Sequence, residues 1–232
     1  MSVLFARVVK TTKDNSIVIQ SNNYIAKNHF DDPRNYADLI LNQINTEKLY
    51  LPYLKQHSII FDIGANIGLF SLHCVDCASV IYSFEPTPQH FNLLTEFTKP
   101  YANIKPVNVA ISDKDADIDF YMSDNNTTMN SIINHYGKKV TIKARSILSF
   151  IQEQNIEKVD FIKCDIEGSE MIALTLETVS QLYRYVDKWF IEVHATPNAS
   201  IDYNRNILKN IYEKVGYKCE LIGIDTLYVY KQ

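Results

Sequence analysis

The chain has 232 residues, 46% of them hydrophobic and 22% charged, with a formal net charge of −4. That composition excludes a disordered chain, and an acidic balance without a Lys/Arg cluster disfavours a general grip on nucleic-acid backbone. No apolar run approaches the roughly 18 residues of a membrane helix, and Met1 to Val9 lack the cationic start and apolar stretch of a signal peptide, so no membrane association is expected and the cytoplasm is the default. In chain order, residues 3–9 and 16–20 are rich in β formers and flank the turn Lys13-Asp14-Asn15, which predicts a hairpin. Asp31-Asp32-Pro33 carries helix-start chemistry, with Tyr36, Leu39, Ile40 and Ile44 following at helical spacing. These elements read as an accessory layer over residues 1–55, ahead of a main domain over 56–232.

From there the pattern alternates. Strands are expected at 58–62, 80–85, 104–110, 159–165 and 188–194, with helices at 67–77, 87–100, 168–183 and 203–215 between or after them. Residues 118–122 read as an antiparallel strand, and strands at 217–221 and 226–230 close the chain around Gly223. The polar stretch 123–131 reads as a loop. Alternating strands and helices make an α/β fold with a mostly parallel sheet covered on both faces, and the closing pair makes an antiparallel edge. Cys74 and Cys77 have C-x-x-C spacing but no second pair or His pair to complete a zinc site, Cys164 lies in an apolar run and Cys219 in an expected strand. All four read as core thiols.

The first strand-to-helix turn reads Asp62-Ile63-Gly64-Ala65-Asn66-Ile67-Gly68. Turns at strand carboxyl ends are where open α/β sheets bind ligands, and the helix that follows offers free N–H groups. The spacing is G-x-x-x-G rather than the G-x-G-x-x-G of a dinucleotide fold, so an NAD-dependent oxidoreductase is excluded, and no Gly-Lys-Ser/Thr of a P-loop is present. An acid at the strand end suits an ammonium group, and Glu85, ending the next strand, suits the two hydroxyls of a ribose. A ligand with ammonium, carboxylate and ribose and no phosphate is S-adenosylmethionine.

At these residues the sequence resembles the FkbM family of S-adenosylmethionine-dependent methyltransferases. The matching pieces are Asp62 to Gly68, Phe84-Glu85-Pro86-Thr87-Pro88, Asn108-Val109-Ala110-Ile111-Ser112, and Val159-Asp160-Phe161-Ile162-Lys163-Cys164-Asp165-Ile166-Glu167-Gly168-Ser169-Glu170. The last, with its K-x-D-x-E-G-x-E pattern, is the most specific. The resemblance implies a seven-stranded Rossmann-like methyltransferase fold and O-methylation, often of a sugar hydroxyl or other small metabolite. It places Asp62, Gly64, Ala65, Asn66 and Gly68 at the methionine end of the cofactor, Glu85 and Pro86 at the ribose, Asn108, Val109 and Ala110 beside the adenine, and Asp165 beside the transferring methyl. One departure stands out. Where the family has a Leu-Asp pair opening the helix before the fourth strand, this chain has Ser146-Ile147-Leu148-Ser149, and Ser146 is expected to cap instead.

Methyl transfer to a hydroxyl gains from a general base or a metal. Glu167 and Glu170 open a helix, where acids are stabilised by the dipole. Glu192 and His194 lie two apart on one strand and share a side, next to the strand that ends in Asp165. Asp165, Glu192 and His194 therefore converge on the acceptor, with His194 as a neutral imidazole base or, second in rank, all three around Mg²⁺. The acceptor is expected to be a small molecule or glycan. Methylation of an amine or peptide side chain, and a catalytically silent S-adenosylmethionine-binding module, are the alternatives. No residue pattern reads as a substrate code or an oligomer interface.

Overall fold

The computed structural model describes residues 7–11, 16–21, 24–29, 50–122 and 138–232. The helix expected after Asp31 and the loop at 123–131 lie outside them. Strands β1 (Arg7–Thr11), β2 (Ser16–Ser21) and β3 (Tyr24–His29) form an antiparallel meander in the order β1-β2-β3. The expected hairpin is there, extended by a third strand whose sequence, Tyr-Ile-Ala-Lys-Asn-His, carries too weak an alternation to be read in advance.

The main sheet is built from β4 (Ser58–Ile63), β5 (Ala78–Phe84), β6 (Ile104–Val107), β10 (Phe161–Cys164), β11 (Lys188–Glu192), β12 (Lys218–Ile222) and β13 (Thr226–Tyr230). Their order is β12-β13-β11-β10-β4-β5-β6. β11, β10, β4, β5 and β6 run parallel, while β13 runs against both of its neighbours, β11 and β12. The antiparallel edge is thus the closing pair, with the reversed strand one place in. The sheet switches direction of winding between β4 and β10, which puts their carboxyl ends at the crevice where such folds bind ligands.

A second sheet, β7 (Ala110–Ser112), β9 (Lys138–Ser146) and β8 (Ala116–Met122), stands beside it in the order β7-β9-β8. β8 is antiparallel to β9, as its sequence indicated, and β9 itself was not foreseen because Lys-Lys-Val-Thr-Ile-Lys-Ala-Arg-Ser alternates around charged residues. The strand expected over 104–110 divides at Asn108, where the chain leaves one sheet for the other.

The helices are α1 (Leu69–Cys74), α2 (Pro88–Thr98), α3 (Ile147–Glu153), α4 (Glu170–Ala173), α5 (Leu176–Leu182) and α6 (Ile201–Val215). The helix expected over 168–183 is broken because Thr175 caps a fresh start, its hydroxyl accepting from the Thr178 N–H at 3.2 Å. Two cores cover the sheet. On one face Phe61, Ile63, Ile162, Trp189 and Ile191 meet α3, α5 and α6; on the other Ile60, Ile81, Phe161 and Phe190 meet α1 and Phe97 of α2. The strands alternate between these two cores, as a sheet buried on both sides requires. Cys74 and Cys164 are buried, Cys77 and Cys219 half-buried, and none of the four is in a disulfide. No helix among the described residues is long and apolar enough to cross a membrane.

Candidate active site

A cleft of about 660 Å³ opens at the carboxyl ends of β4, β5 and β10. Its floor starts at Gly64, whose φ of +78° turns the chain out of β4. The Gly64 and Ala65 N–H groups donate to the Phe84 carbonyl at 3.1 and 2.9 Å, pinning the turn to the end of β5. A Cβ at Gly64 would stand 1.7 Å from the Asp165 carbonyl oxygen, so β4 and β10 approach here as only glycine allows. Gly68 serves packing: Leu94 of α2 occupies the space a Cβ would need.

Asp62 is fully buried behind this turn. Its Oδ2 accepts from the Ser71 hydroxyl at 2.6 Å, and Lys163 Nζ lies 3.8 Å from its Oδ1. Burial outweighs these two partners and raises its pKa. Lys163 is itself buried, donates to the Gly64 carbonyl at 3.1 Å, and stands 3.2 Å from Asp165 Oδ2. One ammonium thereby joins the first strand end, the glycine turn and the fourth strand end. The motif contained Lys163, but its role was not read from sequence. The available signal was alternation, which sets it on the same face as Asp165 inside a buried strand, where a lysine requires an acid.

Glu85 is held by backbone on both oxygens. The Asn66 N–H donates to Oε2 at 2.9 Å and the Thr87 N–H to Oε1 at 2.8 Å. Each carboxylate oxygen keeps a second lone pair. Pro86, Val109 and Ala110 line the cleft, joined by Phe84, Ile111 and Phe120 in an apolar wall. Asn108 is placed differently from its neighbours Val109 and Ala110. It lies outside the cleft lining, because its amide donates to the Glu85 carbonyl at 2.8 Å and the Pro86 carbonyl at 3.3 Å. It fixes the loop that carries Glu85.

At the other end of the cleft four carboxylates surround one imidazole. His194 Nδ1 lies 3.0 Å from Glu170 Oε1, and its Nε2 lies 3.7 Å from Asp165, 3.7 Å from Glu167 and 4.0 Å from Glu192. Glu170 is fully buried and also accepts from the Ile166 N–H at 3.0 Å, so it braces the turn rather than only decorating a helix start. Glu167 occupies a left-handed backbone position, φ +54°, and lines the cleft with Asp165. Burial opposes a charge on His194, but Glu170, Asp165 and Glu167 outweigh it and raise its pKa to about 10. Burial and then the Asp165 charge raise Glu167 and Glu192 to about 7 each. These carboxylates favour the imidazolium form of His194 over the neutral imidazole expected from the sequence. One donor atom from each of Asp165, Glu167 and His194 lies within 4.8 Å of the others, a set that would suit a divalent cation.

The residues present fit the cofactor inferred from the sequence. Asn66 Oδ1, in a residue that lines the cleft, is buried with no hydrogen-bond partner, as is Asp62 Oδ1 just behind it. Asn66 Oδ1 offers an acceptor to an ammonium donor, with the Asp62 charge behind it, and Glu85 matches a diol.

Sheet order, reversed strand and crevice define the class I S-adenosylmethionine-dependent methyltransferase fold. A solved precorrin-6y C5,15-methyltransferase from Geobacter metallireducens superposes with a TM-score of 0.50 at 12% identity, covering 81% of this chain and 88% of that one, a likeness of fold. Residues 62–219 match the model of the methyltransferase FkbM domain, and the chain belongs to that family. Among curated proteins, the hexuronic acid methyltransferase AglP of Haloferax volcanii is 27% identical over 149 residues, 64% of this chain and 61% of that protein. The chain spans about three fifths of the length of this relative.

Proposed function

We propose that this protein transfers a methyl group from S-adenosylmethionine to a hydroxyl of a sugar or a glycosylated small molecule. The observation that carries the reading is the meeting of two half-sites on one cleft: the unsatisfied acceptors of the glycine turn with Glu85, and the carboxylate cluster at Asp165. The family match and a relative named for a hexuronic acid support it.

Asn66 and Asp62 would hold the ammonium, Glu85 the ribose, and the wall of Phe84, Val109 and Phe120 the adenine. The cofactor supplies a methyl group already activated on a sulfonium centre. The protein's part is alignment, exclusion of water and removal of the acceptor's proton. His194, as an imidazolium, does not accept that proton; it holds the carboxylates in place. Glu167 and Glu192, raised to about 7, have the poise of a general base near neutral pH. Glu167 is the better placed of the two, since it lines the cleft. A divalent cation at Asp165, Glu167 and His194 is the second reading, favoured by the spacing of those donors.

The first test is calorimetric titration of the full chain with S-adenosylhomocysteine, with NAD as control. Micromolar binding of the former alone, lost in a folded Glu85→Ala variant, is expected. No binding at millimolar ligand would sink the cofactor reading. An acceptor screen over neutral sugars, uronic acids and amines follows, with and without EDTA; a rate unchanged by EDTA is expected for the carboxylate base, and a loss of about tenfold or more favours the cation.

A further inference from the structure

The ribose end of the cleft holds a polar group that neither the sequence motifs nor the fold accounts for. His90 follows two residues after Pro88, in the first turn of α2, and is 3% exposed. Its Nδ1 lies 3.7 Å from Glu85 Oε1, the oxygen that also accepts from the Thr87 N–H. Its Nε2 is buried with no hydrogen-bond partner, and His90 is among the residues that line the cleft, with Glu85, Pro86 and Thr87. A buried imidazole nitrogen left unsatisfied is costly to the fold. A fold tolerates that cost where a ligand supplies the partner, and Asn66 Oδ1, on the other side of Glu85, is unpartnered in the same way.

We propose that His90 is a cofactor-binding residue whose Nε2 pairs with a ribose hydroxyl beside Glu85, so that the diol is gripped from two sides, by a carboxylate from β5 and an imidazole from α2. This rests on the cofactor reading above. It explains why α2 begins directly after the Glu85 loop: Pro88 at the helix start sets the first turn, and that turn delivers His90 back toward the carboxylate. An imidazole there also favours a ligand that carries a hydroxyl over one that lacks it, because the deoxy form leaves a buried nitrogen unpaired.

The test is calorimetry on the full chain with S-adenosylhomocysteine and its 2′-deoxy and 3′-deoxy ribose forms. For wild type, removing the hydroxyl that faces His90 is expected to weaken binding about tenfold or more, part of it through Glu85. In His90→Leu, S-adenosylhomocysteine is expected to bind about tenfold more weakly, and the penalty for one of the two deoxy forms to shrink by a similar factor. His90→Gln, which keeps a hydrogen-bonding end, is expected to recover part of both. Affinity within twofold of wild type in His90→Leu, or an equal loss for all three ligands, overturns the proposal while leaving the cofactor reading intact. Absence of binding by the wild-type chain overturns both. Should the leucine variant melt below the assay temperature, the wild type labelled with ¹⁵N-histidine decides: the His90 imidazole nitrogens, assigned by their loss in His90→Gln, shift on adding S-adenosylhomocysteine if the pairing forms and stay put if it does not.

Discussion

A methyl group added at Gly64 would sit 1.7 Å from the Asp165 carbonyl oxygen, and the backbone there has φ +78°. Both facts oppose any side chain, so Gly64→Ala is expected to lose about 2 kcal/mol or more of stability and most S-adenosylhomocysteine affinity, measured by urea unfolding and calorimetry. Gly223, also at positive φ, meets nothing within 4 Å of an added Cβ, and Gly223→Ala serves as a control for backbone strain alone. At His194 the sign of the pH effect follows from the shifts. Its folded pKa is raised from 6.5 to about 10, so its contribution is full below pH 6.5 and is lost as pH rises toward 10. Glu167 and Glu192 are raised from 4.5 to about 7, so their protonation favours the fold and is lost as pH rises from 4.5 to 7. The melting temperature is expected to fall between pH 6.5 and 10, and His194→Gln to flatten that slope; an unchanged slope would show that His194 is not the group responsible.

Single residues also decide how elements begin. Where the family has an acid at the start of the helix before the fourth strand, this chain has Ser146, whose hydroxyl accepts from the Ser149 N–H at 3.0 Å. The missing acid is supplied from elsewhere: Asp115 Oδ1 accepts from the Ser146 N–H at 2.8 Å and from the Ser149 hydroxyl at 2.6 Å. Ser146→Ala is expected to cost about 1 kcal/mol with cofactor affinity unchanged, and unfolding in urea checks it. The cap was readable from sequence, because serine before an apolar helix is a local signal. Asp115 was not, because it joins the helix from 31 residues away. The same division holds at α4 and α5. The apolar spacing of 168–183 gave a single helix, whereas Thr175 restarts it through a hydrogen bond that periodicity does not register.

Across the molecule, the sheet carries two cores, and only one of them backs the apolar wall of the cleft. Phe150 of α3 packs edge-on against Phe84 and Phe61, its ring centroid 4.8 and 5.7 Å from theirs. Phe70, in the opposite core, stacks on Phe161 at 6.2 Å. Phe150→Ala and Phe70→Ala are each expected to lose about 3–5 kcal/mol. Under conditions where both remain folded, calorimetry is expected to show weaker S-adenosylhomocysteine binding only in Phe150→Ala, since Phe84 loses its support there. Equal affinity in the two variants would mean that the wall does not depend on the core behind it.

The sequence by itself determined the alternation of strands and helices, the glycine turn after Asp62, the acid at Glu85 and the cluster-forming motif around Asp165. Each is a local pattern: period, turn chemistry, or an acid at a strand end. Only the tertiary structure decided what those side chains experience. It took Asn108 out of the cleft, made His194 a cation among four carboxylates, and set Lys163 between Asp62 and Asp165. It also brought His90 back to Glu85. Charge state and partnership depend on burial and on groups distant in sequence, through desolvation and Coulomb interaction over a few ångströms, and neither is written in spacing along the chain.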